Sequence, residues 1–352
     1  MEGPVITTID DLHTALQEAV ALEFSTIPVY LSGWWTIDDP TTEAAILIQS
    51  VMIVEMRHMA VAANTLIATG GTPNVTSAVQ SYPYPTYLPD GEKEFEVNLL
   101  AFGPAFLEQA MWIEQPTTVQ DVAPEVLARF ASGQPSPRRH RLLAMGDIFP
   151  TIGQFYEAII SGIQTLVAQL GESTVFPDGG NTPMQLDYFG TQNITVTSSE
   201  EAIALLTDIV DEGEGASGTM WDENQQLSHF YTFQEISLAQ AYEPGDQPGQ
   251  PTGPPIAVPT GDQVANMWTT PKMSQYPQGS EVWNDADAFN QLFAQIVGNL
   301  DLGFSGSPAQ VQVAVGQMIQ LPAAAGRVLA NPFPGEPGWV AGPTFELPPY
   351  TG

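Results

Sequence analysis

From residue 8 to 37 the apolar side chains Leu12, Leu16, Ala19, Ile27 and Tyr30 fall on one stripe of three- and four-residue steps, the signature of a core-facing α-helix. Thr8, Asp10 and Asp11 supply its capping residues, and Pro28 inside the pattern predicts a kink or a local break. A second stripe, Ala44, Ile48, Val51 and Ala62, predicts a helix that starts after Asp39-Pro40 and stops at Gly70-Gly71 and Pro73. Residues 72–96 are punctuated by prolines and read as an irregular crossing, followed by a shorter helix within 97–116. Residues 116–140 contain "SGQPSPRRHR" and read as a surface loop. Further helices are predicted over 148–170, over 198–215 behind a capping box of Ser198 and Glu201, and over 224–242.

The texture changes after residue 243. "EPGDQPGQPTGPPIAVPTGD" can be neither helix nor central strand, yet it is apolar enough to lie against a folded surface. Two amphipathic stretches, 284–302 and 307–329, then predict a helical C-terminal extension. The fold class is all-α. Residues 1–242 form a four-helix bundle with loop insertions, and residues 243–352 form a proline-rich wrap and C-terminal helices packed on it.

The two leading stripes are interrupted at matching places. In the first, Glu23 stands where the pattern requires an apolar side chain. In the second, Glu55 and His58 do, three residues apart and on one helix face. An ionised carboxylate in a core costs several kcal/mol unless it is paired or binds a metal. A glutamate on one helix and Glu-x-x-His on the next is half of the carboxylate site that four-helix bundles build for two metal ions. The other half is less regular. Glu157 is polar within an apolar run but lies at the boundary of the face formed by Tyr156, Ile159, Ile160, Ile163 and Val167. His229 shares a face with Phe233 and Ile236, and the residue three before it is Gln226, a poor ligand. Glu214 is the first candidate to replace the missing acid. Glu108 and Glu114 read as solvated or capping residues, and His13 as a surface residue.

Composition narrows the chemistry. The 352 residues carry 40 acidic and 8 basic side chains, a formal net charge of −32, which repels nucleic acid and anionic membranes. There is no cysteine, so thiolate metal sites, disulfides and cysteine nucleophiles are excluded. Carboxylate and imidazole donors without sulfur suit iron or manganese, with zinc as a further alternative. The N-terminus has neither a basic nor an apolar leader region and no long uninterrupted apolar run occurs, so a cytoplasmic protein is expected.

"LHTALQEAVALEFSTIPVYL" followed by "VEMRHMAVAANTLIATGGTPNV" resembles the ferritin-like family that includes the iminophenyl-pyruvate dimer synthase domain of bisindole biosynthesis. The segments "IGQFYEAI", "IVDEGEG", "LSHFYTF", "FNQLFAQIV" and "AGPTFE" follow in the order of that family. The resemblance implies a ferritin-like bundle with a metal centre for oxidative chemistry on small molecules. It places Glu23, Glu55, His58, Glu157 and His229 on metal-binding positions, and Glu214 on the glutamate of the Gly-Glu-Gly segment. Gln226 stands where related sequences often have Glu. The bisindole enzymes are much larger, and their specific reaction is not carried over.

The expected function is that of a non-haem oxidase or oxygenase with one or two iron ions, or manganese, acting with dioxygen or peroxide on a small organic molecule. Tyr30, Trp34 and Trp35 are assigned to the wall of its substrate pocket, with plain core packing as the alternative. Neither nucleic acid nor membrane is expected as a partner, and a homodimer is left open. The competing readings are a non-catalytic iron-handling protein and a metal-free ligand-binding bundle.

Overall fold

The structure is a computed structural model that describes residues 6–86, 96–116, 140–142, 147–149, 152–215, 219–222 and 224–350. Four long helices close a ring: α1 (Ile9–Trp35), α2 (Glu43–Ala68), α5 (Ile152–Leu170) and α6 (Ser199–Glu214). α1 packs most extensively on α2, α5 on α6, and the ring is completed by α1 on α5 and α2 on α6. The all-α bundle expected from the hydrophobic periodicity is therefore present.

α1, α2 and α6 begin where the sequence provides a cap. Thr8 and Asp11 form a capping box on α1, with the Thr8 side chain accepting from the Asp11 N–H. Thr42 and Ser198 accept in the same way at α2 and α6. Pro28 does not break α1, which runs unbroken through it. One turn earlier, the Ser25 carbonyl accepts a hydrogen bond from the Tyr84 hydroxyl, which draws the 72–86 crossing onto the helix.

Three shorter helices and the start of α5 depart from the sequence expectations or refine them. α3 (Val75–Ser81) lies inside the stretch read as irregular. Asn74 caps it through the Ser77 N–H at 2.7 Å, and the Asp301 carboxylate accepts from the Val75 N–H at 2.6 Å. A seven-residue helix is too short to be stable alone; its caps and its contacts with α1 hold it, and a periodicity search cannot see them. α4 (Pro104–Ile113) occupies only the second half of the expected segment, because Gly103 and Pro104 start it. α7 (His229–Leu238) starts later than expected, since Trp221 and Leu227 pair in an isolated bridge just before it. The expected 148–170 helix starts at Ile152, and residues 147–149 pair instead as strand β2 (Asp147–Phe149) with β1 (His140–Leu142). The "SGQPSPRR" part of the surface loop lies outside the described residues.

The proline-rich segment lies along the bundle. Ala265 N–H donates to Thr36 O at 2.8 Å, Asp38 N–H to Gln263 O at 2.9 Å and Thr270 N–H to Leu99 O at 2.9 Å. α8 (Glu281–Phe304), α9 (Ala309–Met318) and α10 (Leu321–Leu329) follow. Phe289, Phe293 and Phe345 pack around Trp35 and Phe24 of α1, so the C-terminal region shares one continuous core with the bundle. α2 is the one described helix long and apolar enough to cross a membrane, and most of it is buried among its neighbours.

Where α1 meets α4 the contact is glycine-mediated: a Cβ on Gly33 would collide with the Phe106 ring. Gly33→Ala is therefore expected to destabilise the protein by about 1–3 kcal/mol through overpacking, despite alanine's better helix propensity. A urea midpoint equal to that of the wild type would refute the close α1–α4 contact.

Candidate metal centre

Glu23, Glu55, His58 and His229 meet in the middle of the bundle, each no more than 4% exposed. α1 contributes Glu23 and α2 contributes Glu55 and His58 from successive turns of one face. His229 is the first residue of α7, which is wedged between α2, α4 and α6. A fifth group departs from the solvated or capping role expected of it: Glu114, the C-terminal cap of α4, is buried and also faces His229. Leu107, Ala110 and Glu114 form a three-then-four spacing, and that stripe was the signal available in the sequence.

The carboxylates are held in one common way. Glu23 Oε1 accepts from the Tyr156 hydroxyl at 2.5 Å, and Glu55 Oε2 accepts from the Thr26 hydroxyl at 2.9 Å. Glu114 Oε1 accepts from the Tyr30 hydroxyl. Each glutamate thus has one oxygen pinned by a hydroxyl, while the other turns to the histidines. Glu23 Oε2 lies 3.7 Å from His58 Nδ1, Glu55 Oε1 lies 3.5 Å from His58 Nδ1 and 2.9 Å from His229 Nδ1, and Glu114 Oε2 lies 3.6 Å from His229 Nδ1. Glu55 Oε1 therefore faces both imidazoles, whose rings stack at 5.5 Å.

The histidines are prepared differently. His58 Nε2 is 2.8 Å from Glu212 Oε2, and the buried Arg57 guanidinium pairs with that same oxygen. A carboxylate on Nε2 fixes the ring and leaves Nδ1 for the cluster, the arrangement by which proteins orient metal-binding imidazoles. His229 Nδ1 is buried and has no partner in hydrogen-bonding geometry, although Glu55 is close.

These contacts set the proton inventory. Burial works against a charge on His58, but Glu212, Glu23 and Glu55 outweigh it and raise its pKa well above the usual imidazole range. For His229, burial is likewise overcome by Glu114 and Glu55, and the pKa rises to about 9. Glu55 is held well below the ordinary carboxylate range despite burial, because both histidines stabilise its charge. Glu212 falls to about 2 despite burial, through His58 and Arg57. Glu23 is pushed up to about 7 by burial and by repulsion from Glu55. Without a cation the cluster balances itself with imidazolium protons; a bound cation would take their place.

The donors fit such a cation. Ligands about 2.0–2.2 Å from one ion stand about 3–4 Å from each other, which is the spacing of the facing oxygens and nitrogens here. Among the described residues, Glu55, His58 and His229 place one ligand atom each within 4.8 Å of one another. Glu23 and Glu114 flank this trio. Carboxylate and imidazole donors without sulfur suit iron or manganese.

Of the two other sequence-predicted ligands, one lies away from the cluster and the other has a side chain that is not described. Glu157 is exposed, because one residue is about 100° of helix rotation and α5 turns Tyr156 inward instead. The side chain of Glu214, the last residue of α6, lies outside the described residues, and Glu212 is the acid of that segment that reaches His58. Ala202, Leu206 and Ile209 step by four and three, and the next step of three is Glu212, not Glu214. The exposed Gln226 contributes its backbone to the turn before α7, its N–H donating to Asp222 Oδ1 at 2.7 Å. His13 is half-buried, its Nε2 2.8 Å from Thr69 O.

A cavity of about 60 Å³ adjoins the cluster, lined by Ser50, Val51, Val54, Glu212, Asp222, Gln226, Leu227, His229 and Thr232. Tyr30, Trp34 and Trp35, expected to wall a substrate pocket, are not among the lining residues of this cavity. Tyr30 is fully buried, packs on Phe233 at 5.1 Å and reaches the cluster through Glu114. Trp35 stacks on Phe345, and Trp34 packs on the core.

Comparison with known proteins agrees with this architecture. Residues 16–238 match the sequence model of a family described as Ferritin-like. The crystal structure of a ferritin like protein from Caulobacter vibrioides superposes with a TM-score of 0.59 at 23% sequence identity, covering 91% of this chain and 97% of that chain. No curated protein matches the chain. With the family match spanning the helices that carry Glu23, Glu55, His58, Glu212 and His229, the chain belongs to the Ferritin-like family.

Proposed function

We propose that the protein is a non-haem metal-dependent oxidoreductase that binds one or two iron or manganese ions and turns an oxidant, dioxygen or peroxide, on a small organic molecule. The observation that carries this reading is the shared geometry of Glu23, Glu55 and Glu114: each has one oxygen pinned by a hydroxyl and the other turned to an imidazole Nδ1. A purely structural cluster has no need for that repeated arrangement. Kinship to the iminophenyl-pyruvate dimer synthase branch of the family rests on the motifs quoted from the sequence.

In this reading Glu55, His58 and His229 hold the metal, with Glu23 and Glu114 completing the donor set. The bound metal supplies the electron transfer that no side chain of this cysteine-free protein provides readily. Tyr156, Thr26 and Tyr30 fix the rotation of the three carboxylates, so that the ligands need little reorganisation on loading. Glu212 and Arg57 hold the His58 ring in register. Tyr156 also has its pKa raised well above the usual phenol range by burial and by Glu23, so it stays protonated and keeps donating to Glu23.

A second reading, a metal-binding protein that handles iron without an organic substrate, is favoured by the small size of the adjoining cavity and by the lack of aromatic side chains among its lining residues. Iron-reconstituted protein separates the two readings. Oxidant consumption coupled to turnover of an organic compound supports the enzyme. Iron uptake alone, with no organic product in any assay, supports the second reading.

Two outcomes test the centre itself. Glu55→Ala and His58→Ala are expected to abolish metal binding by ICP-MS while far-UV circular dichroism stays helical; full metal stoichiometry in both variants would remove the site. Glu212→Gln is expected to weaken metal affinity about 10–100-fold at unchanged saturating stoichiometry, since it loosens His58 without removing a ligand. A titration indistinguishable from the wild type would show that Glu212 does not position His58.

A further inference from the structure

The centre is enclosed on most sides. Tyr156 of α5 covers it at Glu23, and Tyr30, Phe106 and Phe233 form an aromatic wall behind Glu114. The cavity between α2 and the residues Asp222, Gln226 and Leu227 is different. Its rim carries the exposed Ser50 and Gln226, and its lining includes both Glu212 and His229, the two cluster groups nearest α6 and α7.

Three features fix what this cavity can pass. Its volume of about 60 Å³ holds a few water molecules and is too small for an aromatic compound. Its acidic lining residues are Asp222 and Glu212, and no lysine or arginine is among the described lining residues; Arg57 is engaged with Glu212. The buried His229 lines it as well, and its Nδ1 faces Glu55 Oε1 at 2.9 Å within the donor cluster. A passage that carries two carboxylates and ends at an imidazole of the donor cluster fits a cation carrying part of its hydration shell.

The rim is built to stay in place. Asp222 N–H donates to Gln226 O at 2.8 Å, Gln226 N–H returns to Asp222 Oδ1 at 2.7 Å, and Ser228 N–H donates to Met220 O at 2.9 Å. The turn therefore fixes Asp222 at the wall and His229 at the start of α7 together. The net charge of −32 adds a long-range field that draws cations to the surface from which the passage opens.

We propose that the cavity walled by Ser50, Val54, Asp222 and Gln226 is the port through which a divalent cation reaches Glu55, His58 and His229, with the Asp222 and Glu212 carboxylates guiding it inward. The proposal rests on the metal-centre reading above. It assigns the passage to the metal rather than to the organic substrate.

Cobalt(II) chloride is the probe, with loading followed by stopped-flow absorbance and final stoichiometry by ICP-MS, so that no enzymatic activity is needed. Ser50→Trp and Val54→Trp, which add bulk at the rim, are expected to slow loading at least about tenfold at unchanged final stoichiometry. Asp222→Asn keeps an oxygen for the Gln226 N–H and removes only the charge. It is expected to slow loading about threefold at low ionic strength, the difference shrinking near about 0.5 M salt as screening takes over. Loading at the wild-type rate in both tryptophan variants would overturn the port while leaving the metal centre intact. Failure of the wild type to take up cobalt at all would overturn the metal centre and the port with it.

Discussion

A carboxylate carried into an apolar core gives up its hydration, and the interior repays it only through an opposite charge, a directed hydrogen bond or a metal. Glu23, Glu55 and Glu114 are all buried within one cluster, and the structure meets that cost three times in one way. A hydroxyl from a neighbouring helix takes one oxygen, and an imidazole faces the other. With the histidines protonated, the pairs neutralise one another; a cation in their midst would do so at shorter range. The bundle is organised around this requirement.

The requirement explains which parts of the fold are regular. α1 and α2 are long, unbroken and buried on nearly every side at mid-length, because they carry the core of the cluster. The second half of the site is assembled from shorter pieces: the cap of α4, the inward tyrosine of α5, the last turn of α6 and the first residue of α7. Helix ends can place a side chain at an angle that a straight four-helix ring cannot, and His229 and Glu114 both come from such ends. The C-terminal region supports the arrangement from outside: Asp301 caps α3 against α1, and the aromatic residues around Phe345 brace the far end of α1.

The chain alone determined the bundle and half of the centre. Hydrophobic periodicity is a local property, so a polar residue on an apolar stripe is visible without coordinates; Glu23, Glu55 and His58 stand out for that reason. His229 was legible as a buried histidine on an apolar face. Glu212 and Glu114 continue the apolar steps of their helices, but each sits at a helix end, where acids are ordinarily solvated or capping, and so each looked ordinary.

Tertiary structure decided the rest. The apolar stripe of α5 contains Tyr156 and leaves Glu157 at its boundary; packing on α1 and α6 decides that this boundary residue turns to solvent, about 100° away from Tyr156. That Tyr30 orients a carboxylate rather than lining a pocket depends on where α4 ends in space. The passage between α2 and the pair Asp222 and Gln226 joins residues about 170 positions apart in the chain, a closure no local pattern encodes. Periodicity fixes which face of a helix is buried; only the packed chain fixes what that face meets.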